Sequence, residues 1–222
     1  MVRCIPADEP ADFDAQVRRP GARWLRENPR HPGRPPALWR AFNAELAEAF
    51  EQRCAYTAMF LGAPGTADHF VSLEEDRGQT YEWSNLRYSA AWLNSRKQAL
   101  KSSQLLDPFE VRQGWFELLL PSLQLQVSSL CPPKHRKRAE DTLRLLGLDH
   151  DERVVRYRRQ WLREYEQGEI SLRYLERKAP LVAQAVRRWE EETGRPWPTA
   201  KAARSKASKR GSAARTRRKT TR

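Results

Sequence analysis

Residues 54–101 read CAYTAMFLGAPGTADHFVSLEEDRGQTYEWSNLRYSAAWLNSRKQALK. Gly62, Pro64 and Gly65 punctuate the chain before a short β-like run from Thr66 to Leu73. The polar loop EEDRGQT follows, and YEWSNLRYS reads as a second strand. From Ser89 onward SAAWLNSRKQALK has no Gly or Pro and turns helical. The order is therefore strand, loop, strand, helix. Four polar features sit on these elements: Asp68-His69 at the end of the first strand, Asn85 on the second, then Asn94 and Lys97 on the helix.

Those residue types suit one chemistry. Hydrolysing a phosphodiester needs a base for water, and histidine titrates nearest the working pH. The oxygens of the scissile phosphate gain negative charge, which a divalent cation can stabilise. Mg²⁺ and Mn²⁺ prefer oxygen ligands such as Asp68 and the amide oxygen of Asn94. Asn85 is expected to tie the loop so that the His69 ring points at water. One histidine, one amide on a strand and one ligand on a helix are what a one-metal phosphodiesterase site requires.

The segments GTADHFVS, YEWSNLRYS and AAWLNSRKQ resemble an HNH nuclease, the ββα-metal fold, in the variant with Asn in the third place. YEWSN with the following Asn-Ser-x-Lys is similar to the HNH component (PtuB) of Septu-type antiphage systems. The resemblance covers roughly residues 54–100 and does not reach the last fifty or so. It implies His69 as general base, Asn85 as a positioning residue, and Asp68 and Asn94 as ligands of one Mg²⁺ or Mn²⁺ ion. It also implies Arg96 and Lys97 as phosphate contacts, DNA as substrate and a PtuA-like ATPase as partner. The C-terminal helices, which lie outside the resemblance, are the expected docking surface. Many family members hold a structural zinc with two CxxC pairs. Here the corresponding positions are Cys54, Thr57, Ala90 and Leu93. No structural zinc is expected, with Tyr56, Trp92 and Leu93 packing instead. The alternative is a degenerate HNH scaffold that binds nucleic acid or assembles without cutting.

Outward from this core, residues 1–53 read as a Pro- and Arg-rich extended arm with room for one short helix in PGARWLRENPRHPGRPP, followed by a helix carrying Leu38, Phe42, Leu46 and Phe50 at helical spacing. Residues 104–133 suggest one or two short strands broken at Gly114 and Pro121. Residues 134–198 are helical, with Gly147 and Gly168 as stops and Asp149 as a candidate cap. On the second of these helices Val154, Arg158, Trp161, Leu162 and Tyr165 share a face, while Arg153, Arg156, Arg158, Arg159 and Arg163 line a DNA groove or form a solvated or docking face. The expected class is α+β: a ββα-metal core at 54–103 in a mainly helical chain, closed by a basic tail.

Charge is uneven along the 222 residues. The formal net charge is +13, from 41 basic and 28 acidic residues. Ten of those basic residues and none of the acidic ones lie in 199–222, so residues 1–198 carry about +3. The tail has no aromatic residue and is expected to be disordered. Its Lys201, Arg204, Lys209 and Arg210 are candidate phosphate contacts; a merely solubilising tail is the other reading. The longest aliphatic run is Leu118–Leu120, too short for a membrane span. No secretory h-region opens the chain, and three widely spaced cysteines form no CxxC, which fits a reducing cytoplasm. No motif reads base edges, so weak sequence specificity is expected.

Overall fold

A computed structural model describes residues 1–200 apart from 30, 32, 98 and 99. The fold is α+β, with seven α-helices and two two-stranded sheets among the described residues. The candidate phosphate contacts Lys201, Arg204, Lys209 and Arg210 lie outside the described residues. None of the described helices is long and apolar enough to cross a membrane.

At the centre, β1 (Thr66–His69) and β2 (Leu86–Ser89) pair antiparallel, with Asp68 opposite Arg87 and His69 opposite Leu86. All four β2 residues are buried, as expected for a strand covered on both faces. Helix α3 (Ala91–Lys97) follows at once and packs on β1. Leu93 fixes its inner face, and the Asn94 amide nitrogen donates to the Ala67 carbonyl oxygen at 3.1 Å. The first strand is shorter than its sequence suggests. The second begins later, because Arg77–Tyr81 and Trp83–Asn85 form 3₁₀ turns.

The N-terminal arm departs most from expectation. The one short helix expected in it is longer and starts earlier: a π-helical stretch (Asp14–Arg18) continues into α1 (Arg19–Glu27). Met1, Phe13 and Val17 are fully buried. The Phe13 ring meets Phe42 and Trp83 edge-on, each at 5.2 Å, and the Trp83 indole donates to the Ala7 carbonyl at 3.1 Å. Scattered apolar residues thus reach a core built by the rest of the chain. The next helix is split into a 3₁₀ turn (Leu38–Phe42) and α2 (Asn43–Ala49), with Phe42, Leu46 and Phe50 buried.

Gly21 shows how tightly α1 is seated. A Cβ there would lie 2.3 Å from the Tyr81 ring. Gly21→Ala sets two effects against each other: helix propensity gains about 1 kcal/mol, whereas overpacking a filled core costs about 1–3 kcal/mol. The clash is with a ring held on both sides, so net destabilisation is expected in urea unfolding. A stabilised variant would show that the contact relaxes freely.

A second hairpin joins β3 (Phe116–Leu118) and β4 (Leu125–Val127). Helices α4 (Pro133–Leu146), α5 (Glu152–Gln167), α6 (Leu172–Lys178) and α7 (Pro180–Thr193) complete the fold. Gly147 ends α4 in the left-handed region, and the Arg96 guanidinium fills the space a Cβ would take. Asp151, not Asp149, caps α5 by accepting from the Arg153 amide at 3.0 Å. Arg158 is not part of a basic groove. It is 1% exposed, and its guanidinium donates to the carbonyls of Leu123 and Leu148 at 3.0 and 2.7 Å. It joins α5 to the second hairpin and to the end of α4.

Candidate active site

The end of β1, the start of the 3₁₀ turn at 38–42 and α3 enclose a cavity of about 360 Å³. Asp68, His69, Asn94 and Lys97 all line it, together with Trp39 and Thr80. Four residues expected at a site are therefore brought to one space. Asn85 lies behind it.

His69 is held in a defined tautomer. Its Nε2 lies 2.9 Å from the Thr80 carbonyl oxygen. A carbonyl only accepts, so Nε2 carries the hydrogen and a neutral ring keeps Nδ1 as its acceptor. Burial lowers the His69 pKa; the Thr80 bond opposes this and the Lys97 charge adds to it. The ring is thereby favoured in its neutral, basic form. Trp39 meets it edge-on, with centroids 4.5 Å apart and planes at 84°.

Asn85 belongs to the turn just before β2, not to the strand itself. Its Oδ1 accepts from the Val71 amide at 2.8 Å. Its Nδ2 donates to the carbonyls of Val71 and Gln79, both at 3.0 Å. The side chain thus pins both ends of the 70–85 loop, one residue from the carbonyl that orients His69. Asn85→Ala removes three buried hydrogen bonds at about 1 kcal/mol each. Loss of about 3 kcal/mol is expected in urea unfolding, with loosened protection of the Val71 amide in hydrogen exchange. A loss within experimental error would mean that water replaces the amide.

Asp68 is 2% exposed and carries two internal contacts. The Tyr56 hydroxyl donates to Oδ2 at 2.5 Å, and Lys97 Nζ lies 3.3 Å from Oδ1. Burial pushes the Asp68 pKa up, while Lys97 and then Tyr56 pull it down. Burial also drives the Tyr56 phenol well above its ordinary value, so it remains a donor.

The two expected phosphate contacts on α3 are engaged within the protein. Lys97 is 3% exposed, and its ammonium also donates to the carbonyls of His69 and Phe70 at 2.5 and 3.0 Å. All three donors are directed into the protein. Arg96 donates to the Leu146 carbonyl and the Asp151 carboxylate at 2.9 and 2.8 Å, joining α3 to the α4–α5 junction. Both are structural ties.

The donor set has the chemistry of a hard-cation site. Asp68 offers a carboxylate and Asn94 an amide oxygen, since its nitrogen is bonded to Ala67. The Lys97 ammonium opposes it, standing against one carboxylate oxygen. Among the described residues no group of three His, Cys, Asp or Glu side chains converges to hold a metal ion, so an ion here would rely on this pair and on water.

Sequence reasoning missed the supporting shell. Arg87 forms a forked pair with Asp107 at 2.9 and 2.6 Å and lies 3.6 Å over the Phe109 ring. It anchors the strand opposite Asp68. The sequence offers the position of Arg87 across the hairpin from Asp68, and it offers Asp107-Pro108, which reads as a turn or as a supporting carboxylate and is both: Asp107 also accepts from the Phe109 amide at 3.0 Å. No protein-family model matches the chain, and no curated protein matches it.

Proposed function

We propose that the chain is a metal-dependent HNH-type endonuclease that hydrolyses phosphodiester bonds of DNA. The observation that carries this reading is the His69 ring, fixed through Nε2 with Nδ1 left as acceptor, in a cavity shared with Asp68 and Asn94. The resemblance of residues 54–100 to HNH nucleases supports it. On the same resemblance the chain would be the effector of a Septu-type antiphage system in the bacterial cytoplasm, licensed by a PtuA-like ATPase.

His69 Nδ1 takes a proton from water, and the hydroxide oxygen forms a bond to phosphorus. The bond to the 3′ oxygen breaks, and that oxygen leaves with a proton from solvent, giving 5′-phosphate and 3′-hydroxyl ends. Thr80 and Trp39 orient the base, and Asn85 holds the loop that carries Thr80. Asp68 and Asn94 would hold one Mg²⁺ or Mn²⁺ ion, which when bound supplies Lewis-acid stabilisation of the developing charge.

A second reading has its own observation. Both Asp68 oxygens already have internal partners, one of them a buried ammonium. That favours a scaffold that binds nucleic acid without cutting. Nicking of supercoiled plasmid by the full chain separates the two. With the ATPase partner present, Mn²⁺- or Mg²⁺-dependent nicking abolished by EDTA is expected. Salt-sensitive binding with no nicking under any of these conditions would select the scaffold.

A further inference from the structure

We infer that the segment 34–40 is the second wall of the site and that Arg34 and Arg40 grip the backbone phosphates of the bound strand. This rests on the nuclease reading for its substrate class, a phosphodiester strand, and assigns contacts that the α3 cations do not make.

The segment is clamped to the site. The Tyr81 hydroxyl donates to the Pro36 carbonyl at 3.0 Å. The Trp39 ring lies against both His69 and Tyr81, at 4.5 and 5.8 Å. Tyr81 is itself pressed onto Gly21 of α1. A backbone bond and two ring contacts therefore fix residues 36–39 beside the base. Arg34 and Arg40 flank that clamp, and both line the cavity.

Their chemistry is available. Both side chains are exposed, and among the described residues neither guanidinium has an ion-pair or hydrogen-bond partner. The third cation of the cavity, Lys97, is buried and fully used. Glu74 also lines the cavity and pairs with neither arginine, so the arginines are not there to neutralise it. Two free guanidinium groups on one wall, facing a base on the other, suit a chain of phosphates with about one negative charge per residue.

The test is fluorescence anisotropy of a labelled short DNA duplex with the full chain in EDTA, over a salt series from about 50 to 200 mM. Wild type is compared with Arg34→Ala/Arg40→Ala. The control is Arg112→Ala/Arg173→Ala, two exposed arginines outside the cavity, which removes the same charge elsewhere. Removing two phosphate contacts should weaken binding about tenfold or more and flatten the salt slope by about 1.8. The control pair should change binding by less than about twofold, as expected for rim charges outside the contact. Equal losses from both pairs, an unchanged double variant, or no binding by wild type would overturn the inference. If the loss is specific but wild type never nicks, the hydrolytic reading fails and this one stands. If wild type nicks and the double variant does so with unchanged KM and affinity, this one fails and hydrolysis stands.

Discussion

His69→Ala should lower plasmid nicking by about 10²–10⁴, the usual contribution of a positioned general base, while leaving the protein folded. The ring makes one hydrogen bond, to Thr80, and one aromatic contact, to Trp39. Losing the bond costs about 1 kcal/mol, which a domain with this core tolerates. The two effects therefore separate: a large fall in rate, a small fall in melting temperature, and an unchanged affinity for DNA in EDTA. Nicking at the wild-type rate would remove His69 from the chemistry. Equal losses of rate, affinity and stability would make it a packing residue.

Lys97→Met should destabilise the protein by about 3–5 kcal/mol, the cost of stranding one member of a buried ion pair. The Lys97 ammonium is 3% exposed and holds Asp68 together with two carbonyls at the end of β1. After its removal Tyr56 remains on the carboxylate. The pH dependence has a definite sign. Burial already raises the Asp68 pKa above its ordinary 3.8, and Lys97 is the foremost influence opposing it. Without Lys97 the folded-state value rises further. The added deficit is absent below the unfolded-state value and opens as pH rises through the interval between the two. Urea unfolding at several pH values reads this directly. A deficit under about 1 kcal/mol, flat with pH, would mean that the pair behaves as a solvated one.

The parts of the site that were legible in the sequence are those set by short-range rules. Gly62, Pro64 and Gly65 delimit β1, the lack of Gly and Pro after Ser89 announces α3, and His69 and Asn94 fall where those elements place them. The sequence around Asn85 reads as strand because Trp83 and its neighbours favour extended chain. Its side chain instead satisfies three loop groups, which needs a turn. The resemblance to HNH nucleases implies Arg96 and Lys97 as phosphate contacts, since it carries helix positions over without their neighbours. What faces them here, Asp151 and the carbonyls of β1, is decided by packing between distant segments. Arg158 carries the same lesson. It shares a stripe with Val154 and Leu162, and on that apolar face it had to go inward. In the arm before residue 35 the sequence allows a short helix, but Phe13 and Val17 are too sparse to announce its early start or its burial without the core they enter.

The clamp of Tyr81 between Gly21 and Pro36 also bears on portability. The stretch that looks like a nuclease begins near residue 54, yet the ring that shields its histidine and the arginines on the opposite wall come from upstream. Grafting residues 54–100 alone onto another scaffold would transfer His69 without its enclosure. The unit that can be moved between proteins, by an engineer or by recombination, starts at the first helix.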